Sequence, residues 1–142
     1  TSGTYYINMN TASAEVSNAT VWNSTVPSST EVSLGTYAAV NASGSDYVMY
    51  AFTPKQGYSC FTKYSGNGNA EGPYVFLGFK PAFIMIKETD SVNANLAIDF
   101  LSNGFKIRNG AGDINGLANS YIVMAFAEDP YVNSNGVSNN AR

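Results

Sequence analysis

The six residues Tyr47-Val48-Met49-Tyr50-Ala51-Phe52 return 74 positions later as Tyr121-Ile122-Val123-Met124-Ala125-Phe126. Aromatic and β-branched residues at this density, stopped by Pro54 in one case and Pro130 in the other, are strand sequences. The approach is duplicated too: Val40-Asn41-Ala42-Ser43-Gly44 precedes the first and Ile114-Asn115-Gly116-Leu117-Ala118 the second. A strand repeated together with its approach marks an internal repeat, so the chain is constrained to an architecture that can hold one β motif twice.

A chain of 142 residues with one cysteine and no histidine must fold on packing alone. Cys60 has no partner for a disulfide, and Tyr58-Ser59-Cys60-Phe61 reads as the setting of an inert buried thiol. The ten Tyr and eight Phe supply most of the apolar area available for burial. Without histidine or a second cysteine, the common zinc and copper sites are excluded, as are Ser-His, Cys-His and metal-hydroxide mechanisms. No cofactor is expected. Charged residues make up 12% of the chain, about half the usual share. Seven scattered Lys and Arg at net charge -3 argue against a nucleic-acid partner, which would need a clustered basic face. No apolar run reaches the length of a membrane-spanning helix. An amino end without Met or a signal sequence predicts a chain cut from something longer or processed.

Along the chain, residues 4–9 have strand-forming content and residues 10–17 read as a polar connector. Glu31-Val32-Ser33-Leu34 alternates as a half-buried strand should. Residues 58–64 are an aromatic strand with Tyr58, Cys60, Thr62 and Tyr64 on one face and Phe61 on the other. A Gly/Asn loop over residues 66–72 leads to a strand at residues 73–77. A turn at residues 78–81 follows, and then residues 82–87, apolar enough to predict the centre of a sheet buried on both faces. Asn103-Gly104 predicts a type I′ hairpin with Phe100 opposite Ile107 and Asp99 opposite Arg108. Residues 109–113 then lead into the second signature strand.

Most motif matches dissolve on inspection. Asn18-Ala19-Thr20, Asn23-Ser24-Thr25 and Asn41-Ala42-Ser43 fit the glycosylation pattern, but a chain this rich in Asn, Ser and Thr yields about three such matches by chance. The Gly66–Gly72 stretch lacks the Gly-Lys-Ser/Thr ending of a phosphate loop and reads as a turn. Asp113-Ile114-Asn115-Gly116 resembles the start of a calcium loop whose twelfth position is Met124 where a Glu is required. Glu88 with Asp90, and Glu128 with Asp129, form pairs that could hold calcium or act as acid and base, against a plainer reading as solvated rim. The tyrosines offer a functional surface. Tyr5, Tyr6, Tyr37, Tyr58, Tyr64, Tyr74 and Tyr131 fall near predicted strand ends or loops, where a phenol can stack on a sugar and still hydrogen-bond. Tyr37, Tyr64, Tyr74, Asn67 and Asn69 are the candidate glycan-binding set, and core filling or subunit contact is the competing reading.

The following motifs occur in order: Asn41-Ala42-Ser43-Gly44 before residues 47–52, Gly57-Tyr58-Ser59, Tyr64-Ser65-Gly66-Asn67-Gly68 with Gly72-Pro73, Gly78-Phe79-Lys80-Pro81-Ala82 with Ile86-Lys87, Asp99-Phe100-Leu101-Ser102-Asn103-Gly104-Phe105-Lys106, and Ala125-Phe126-Ala127-Glu128. Together they resemble the repeated β-rich domain near the carboxyl ends of tailed-bacteriophage virion proteins, often described as tail-fibre or tail proteins. The resemblance runs from about Thr4 to Pro130 and extends to the Asn-Ala-Arg ending. It departs after Lys87-Glu88-Thr89-Asp90, where only residues 91–98 precede the hairpin and the family usually has more. The resemblance implies a virion component at an exposed fibre and brings no catalytic residues.

The expected architecture is an all-β antiparallel sandwich, jelly-roll or lectin-like. It forms one domain over residues 1–131, with a partial repeat at 4–54, a full repeat at 58–130 and an Asn/Ser-rich tail at 132–142. The expected function is non-enzymatic: the distal part of a phage fibre or a head decoration on the exposed virion surface. Its expected partners are copies of itself, a trimer being one form, other virion proteins, and host surface carbohydrate, with neither nucleic acid nor membrane. Two alternatives stand beside it: an extracellular filament subunit completed by strand addition from a neighbour, and, third, a glycan-active enzyme with two carboxylates across a groove.

Overall fold

The computed structural model describes residues 3–11, 13–90, 98–110 and 112–129. By compactness the chain divides into two units, Thr1–Ala51 and Phe52–Arg142, each taken by itself.

The first unit holds little regular structure. β1 (Tyr5–Tyr6) and β2 (Val16–Ser17) form a two-stranded antiparallel ladder, and α1 (Ala38–Asn41) is a single helical turn. Val21 is its buried apolar side chain, and the Trp22 indole N–H donates to the Tyr5 carbonyl at 3.1 Å. Gly35 lies so close to Thr20 that a Cβ would come within 2.0 Å of the Thr20 carbonyl oxygen, which leaves room for glycine alone. The strand predicted over residues 4–9 shrinks to β1, and β2 interrupts the predicted connector. Residues 31–34 form no strand, and Val32 and Leu34 stay exposed. Residues 47–52, the first signature copy, form no strand either, with Val48 and Tyr50 each 80% exposed. Strand content needs a neighbour to pair with, and among the described residues these segments have none.

The second unit is built of two three-stranded antiparallel sheets sharing one core. In chain order its strands are β3 (Ser59–Ser65), β4 (Tyr74–Phe76), β5 (Pro81–Glu88), β6 (Ile98–Leu101), β7 (Gly104–Ile107) and, after the helical turn α2 (Gly112–Asn115), β8 (Ser120–Ala127). The sheet orders are β3-β8-β5 and β4-β7-β6. Val123, Ala125 and Ala127 from the first sheet meet Val75, Phe105 and Ile107 from the second, with Leu77, Phe79 and Ile114 filling in and Cys60, Tyr64, Ile84 and Ile86 packed against them. The protein is thus nearly all β, antiparallel and sandwich-like, with no closed barrel among the described residues.

Three expectations change here. The apolar run 82–87 predicts a sheet centre, but among the described strands β5 lies at the edge and the centre is β8, the second signature copy. β5 is apolar on both faces because its outer side chains join an aromatic patch; Phe83 remains 48% exposed. The hairpin is shifted by one residue on each strand. Ser102-Asn103 form the loop, and the pairs are Leu101↔Gly104, Phe100↔Phe105, Asp99↔Lys106 and Ile98↔Ile107. Neither loop residue has positive φ, so the turn is not type I′. Packing decides the register: a Cβ on Gly104 would lie 2.2 Å from the Val75 carbonyl oxygen, so β4 requires glycine within the strand, and Phe105 and Ile107 then both point into the core. The ion pair survives as a diagonal contact, Arg108 Nε donating to Asp99 Oδ2 at 2.7 Å. Finally, α2 intervenes where a plain lead-in to β8 was expected. Residues 132–142 and Tyr131 lie outside the described residues.

Candidate interaction surface

The outer face of the β3-β8-β5 sheet is apolar and open. Cross-strand register places Phe61 beside Met124 and Met124 beside Met85, with Phe126 beside Phe83. Phe126 is the hub: its ring lies 5.6 Å from Phe52, 6.0 Å from Tyr58, 6.1 Å from Phe61 and 6.0 Å from Phe83, mostly edge to face. Phe52, Tyr58 and Phe83 are all exposed. Lys63 and Lys87 flank Ile122 at one end of the face, and the Lys80–Glu128 ion pair closes the other. An apolar patch with a charged rim is the usual form of a protein contact surface.

A second arrangement is present in two copies. In the second unit, α2 ends at Asn115, which is fully buried and whose amide donates to the Asn109 carbonyl at 2.8 Å. Ala118 then turns at φ 65°, Asn119 N–H donates to the Gly116 carbonyl, and the Tyr121 hydroxyl accepts from Gly116 N–H at 2.9 Å. In the first unit each part recurs 74 residues earlier. α1 ends at Asn41, whose amide donates to the Gly35 carbonyl at 2.8 Å. Gly44 turns at φ 77°, Ser45 N–H donates to the Ala42 carbonyl, and the Tyr47 hydroxyl accepts from Ala42 N–H at 2.9 Å. The sequence repeat is therefore also a repeat of geometry.

The two copies differ in what docks on them. In the second unit the loop after β3 sits on the turn. Asn67 N–H donates to Asn115 Oδ1 at 2.7 Å, Gly68 N–H to the Asn115 carbonyl, and Gly66 N–H to the Asn119 carbonyl, while Ala118 N–H donates to the Gly66 carbonyl. The Asn115 amide also reaches Asn67 Oδ1 and the Asn69 carbonyl. Gly66 approaches so closely that a Cβ there would lie 2.1 Å from the Gly116 carbonyl oxygen. In the first unit no described residue takes the place of this loop.

The sequence-predicted glycan residues are not gathered at one place. Tyr37 belongs to the first unit, where it packs on Tyr6 with ring centroids 6.0 Å apart and, by a side-chain hydrogen bond, raises the Tyr6 phenol above its usual range. Tyr64 is turned into the core, stacked on Tyr121 at 4.9 Å and donating to the Ile114 carbonyl at 2.6 Å. Its phenol is pushed well up, first by burial and then by Tyr121 and Glu88. Asn67 and Asn69 bond to each other and to Asn115 within the loop. Tyr74 stands apart at the hairpin, half-exposed, donating to Asn103 Oδ1 at 2.7 Å.

The carboxylates act as local ties. Glu88, expected at a solvated rim, is buried and accepts from the Asn119 amide at 2.6 Å; Asp90 accepts from Ser120 N–H at 2.9 Å. Glu128 is exposed and paired with Lys80. Cys60 is half-buried on the inward face, and burial pushes its thiol up. Among the described residues no group of three or more His, Cys, Asp or Glu is placed to hold a metal ion, and the Asp113 side chain lies outside them. The sequence carried a signal for the aromatic patch, since Phe61 alternates against Cys60 and Thr62. It carried one for the twin turns in the repeated Asn41 and Asn115.

Fold and geometry define an antiparallel, sandwich-like β protein in which one turn motif occurs twice. The chain belongs to the family described as domain of unknown function DUF7483, whose model matches residues 1–98 and 91–130. No curated protein and no solved structure matches it.

Proposed function

We propose that this chain is a non-enzymatic structural module exposed on a phage virion, in a distal fibre or a head decoration, that assembles with further copies and other virion proteins through the outer face of β3-β8-β5. The observation that carries this reading is the open aromatic cluster centred on Phe126. An exposed apolar face with a lysine rim gains free energy only when something covers it. The virion setting rests on the motif resemblance. The carboxylates that tie down Asn119, Ser120 and Lys80 also favour a structural role over acid–base chemistry.

The test is Phe83→Lys, which places a charge on the exposed face without entering the core. Sedimentation velocity across a concentration series should show the parent protein associating and the variant monomeric, at the same urea midpoint. Immunogold labelling of virions should mark the fibre or capsid surface. A parent chain that stays monomeric and is absent from virions sinks the proposal.

A further inference from the structure

The first unit presents a half-built socket. In the second unit the turn 115–119 and β8 hold an incoming strand and the loop that follows it: β3 pairs along β8 from Ser59↔Phe126 to Ser65↔Ser120, and Gly66-Asn67-Gly68 bond to the turn. The first unit reproduces the receiving side. Asn41 Oδ1, the Asn41 carbonyl and the Ser45 carbonyl correspond to three acceptors, and Gly44 N–H to one donor, that the second unit uses for its loop. In the first unit these four groups have no hydrogen-bond partner among the described residues. The place a glycine would occupy is also open: a Cβ on Gly44 would meet nothing within 4 Å. Residues 46–51, next along the chain, are exposed and form no strand pairing among the described residues.

We infer that Asn41–Ser45 and residues 46–51 form a binding site for an extended polypeptide strand ending in a Gly-x-Gly loop, supplied by a partner that carries this motif. Transferring the β3–β8 register sets Tyr47 and Met49 on the inward face, as Tyr121 and Val123 are, and Val48 and Tyr50 outward. Asp46 then falls opposite the residue before the loop and diagonal to the residue two earlier, which in β3 is Lys63. Asp46 and Lys63 are both exposed and neither has an ion-pair partner among the described residues, so the charge complements a basic donor strand.

Stoichiometry selects the partner. The described residues hold two receiving sides and one donor segment, Ser59 to Gly68, and that donor is engaged by its own β8 and Asn115. A second copy could fill the vacant socket only by emptying its own. Nor does the preceding turn let the chain pair with itself in the required register. Lys55 and Ser59 exchange backbone hydrogen bonds at 3.0 and 2.9 Å, and continuing that ladder would set Phe52 opposite Thr62, an inward residue. Phe52 instead packs on the outward rings of Phe61 and Phe126. The occupant is therefore a donor strand other than Ser59–Gly68, added in the manner of β-augmentation.

The experiment uses the intact chain and a synthetic peptide of residues 58–72 under reducing conditions, read by amide hydrogen exchange. Saturable binding should slow exchange across residues 46–51 about tenfold or more, leaving β8 unchanged. Asn41→Ala should abolish the protection without altering the exchange of the second unit, and a peptide carrying Gly66→Val should not bind. The inference is overturned if the peptide does not bind, if Asn41→Ala or the Gly66→Val peptide binds as well as the parent, or if protection falls on residues 120–127. Concentration-dependent protection of residues 46–51 without peptide would make a second copy the occupant and overturn it equally. Phe83 belongs to the second unit and contributes no group to the socket, so Phe83→Lys, at an unchanged urea midpoint, should leave peptide binding intact; loss of binding in that variant would place the peptide on the Phe126 face and overturn the inference.

Discussion

Residues 47–52 and 121–126 share one apolar strand pattern, with Tyr, Ala and Phe at matching places, and reach opposite ends of the burial scale. Tyr121 and Ala125 are fully buried between two paired strands, while Val48 and Tyr50 are 80% exposed and pair with none of the described residues. Their approaches are alike down to the Asn amide, the positive-φ turn and the tyrosine hydroxyl. What separates them is company. A signature that codes for strand geometry becomes a strand where β3, the Gly66 loop and β5 stand on either side of it.

The comparison breaks most decisively at matched inward positions. Val123→Asp, burying a charge at the centre of the sheet, should cost more than about 4 kcal/mol and unfold the second unit. Met49→Asp at the equivalent exposed position should stay within about 0.5 kcal/mol by urea denaturation. Equal effects would mean that residues 47–52 are already paired in solution. Next come the twin asparagines. Asn115→Ala strands Asn67 N–H and the carbonyls of Asn69 and Asn109 and should cost about 2–3 kcal/mol. Asn41→Ala gives up one contact near the surface and should cost about 0.5–1 kcal/mol.

Tyr64 gives a pH-dependent contrast. Its folded phenol is held above the usual value of 10.0, so the stability it contributes is whole below that pH and drains away as pH rises above it. Tyr64→Phe should flatten the alkaline fall in melting temperature while costing about 1 kcal/mol at neutral pH for the lost bond to Ile114. The smallest effect belongs to the turns. Ala118 occupies a positive-φ position that the first copy gives to glycine, so Ala118→Gly should stabilise by up to about 1 kcal/mol and Gly44→Ala should destabilise by a similar amount.

Much of the second unit is legible in the chain. The alternation of Cys60, Thr62 and Tyr64 against Phe61 fixes the faces of β3, and Asp99 and Arg108 find each other. The hairpin register was not legible, because Asn103-Gly104 is a strong local turn signal and the close approach of β4 to Gly104 is a tertiary fact. The edge position of β5 was hidden for a related reason. A strand apolar on both faces reads as central when one of those faces is reserved for a partner. The candidate site was half visible: the repeat announced Asn41 and Asn115 together, but only geometry shows that one is covered and the other bare. Tyr64 misled because a phenol near a strand end can turn either way, and here burial beside Tyr121 wins.

β8 is the central strand of its sheet and, among the described strands, the last to leave the ribosome. Among the described strands β3 and β5 each pair with β8, so during synthesis both wait with unsatisfied edges, and closing the sheet joins Ser59 to Phe126 across a long loop. A sequence with the same strand signature, residues 47–52, has emerged well before. The Lys55–Ser59 turn would bring it against β3 with Phe52 opposite the inward Thr62, so that turn keeps the seat open until β8 arrives.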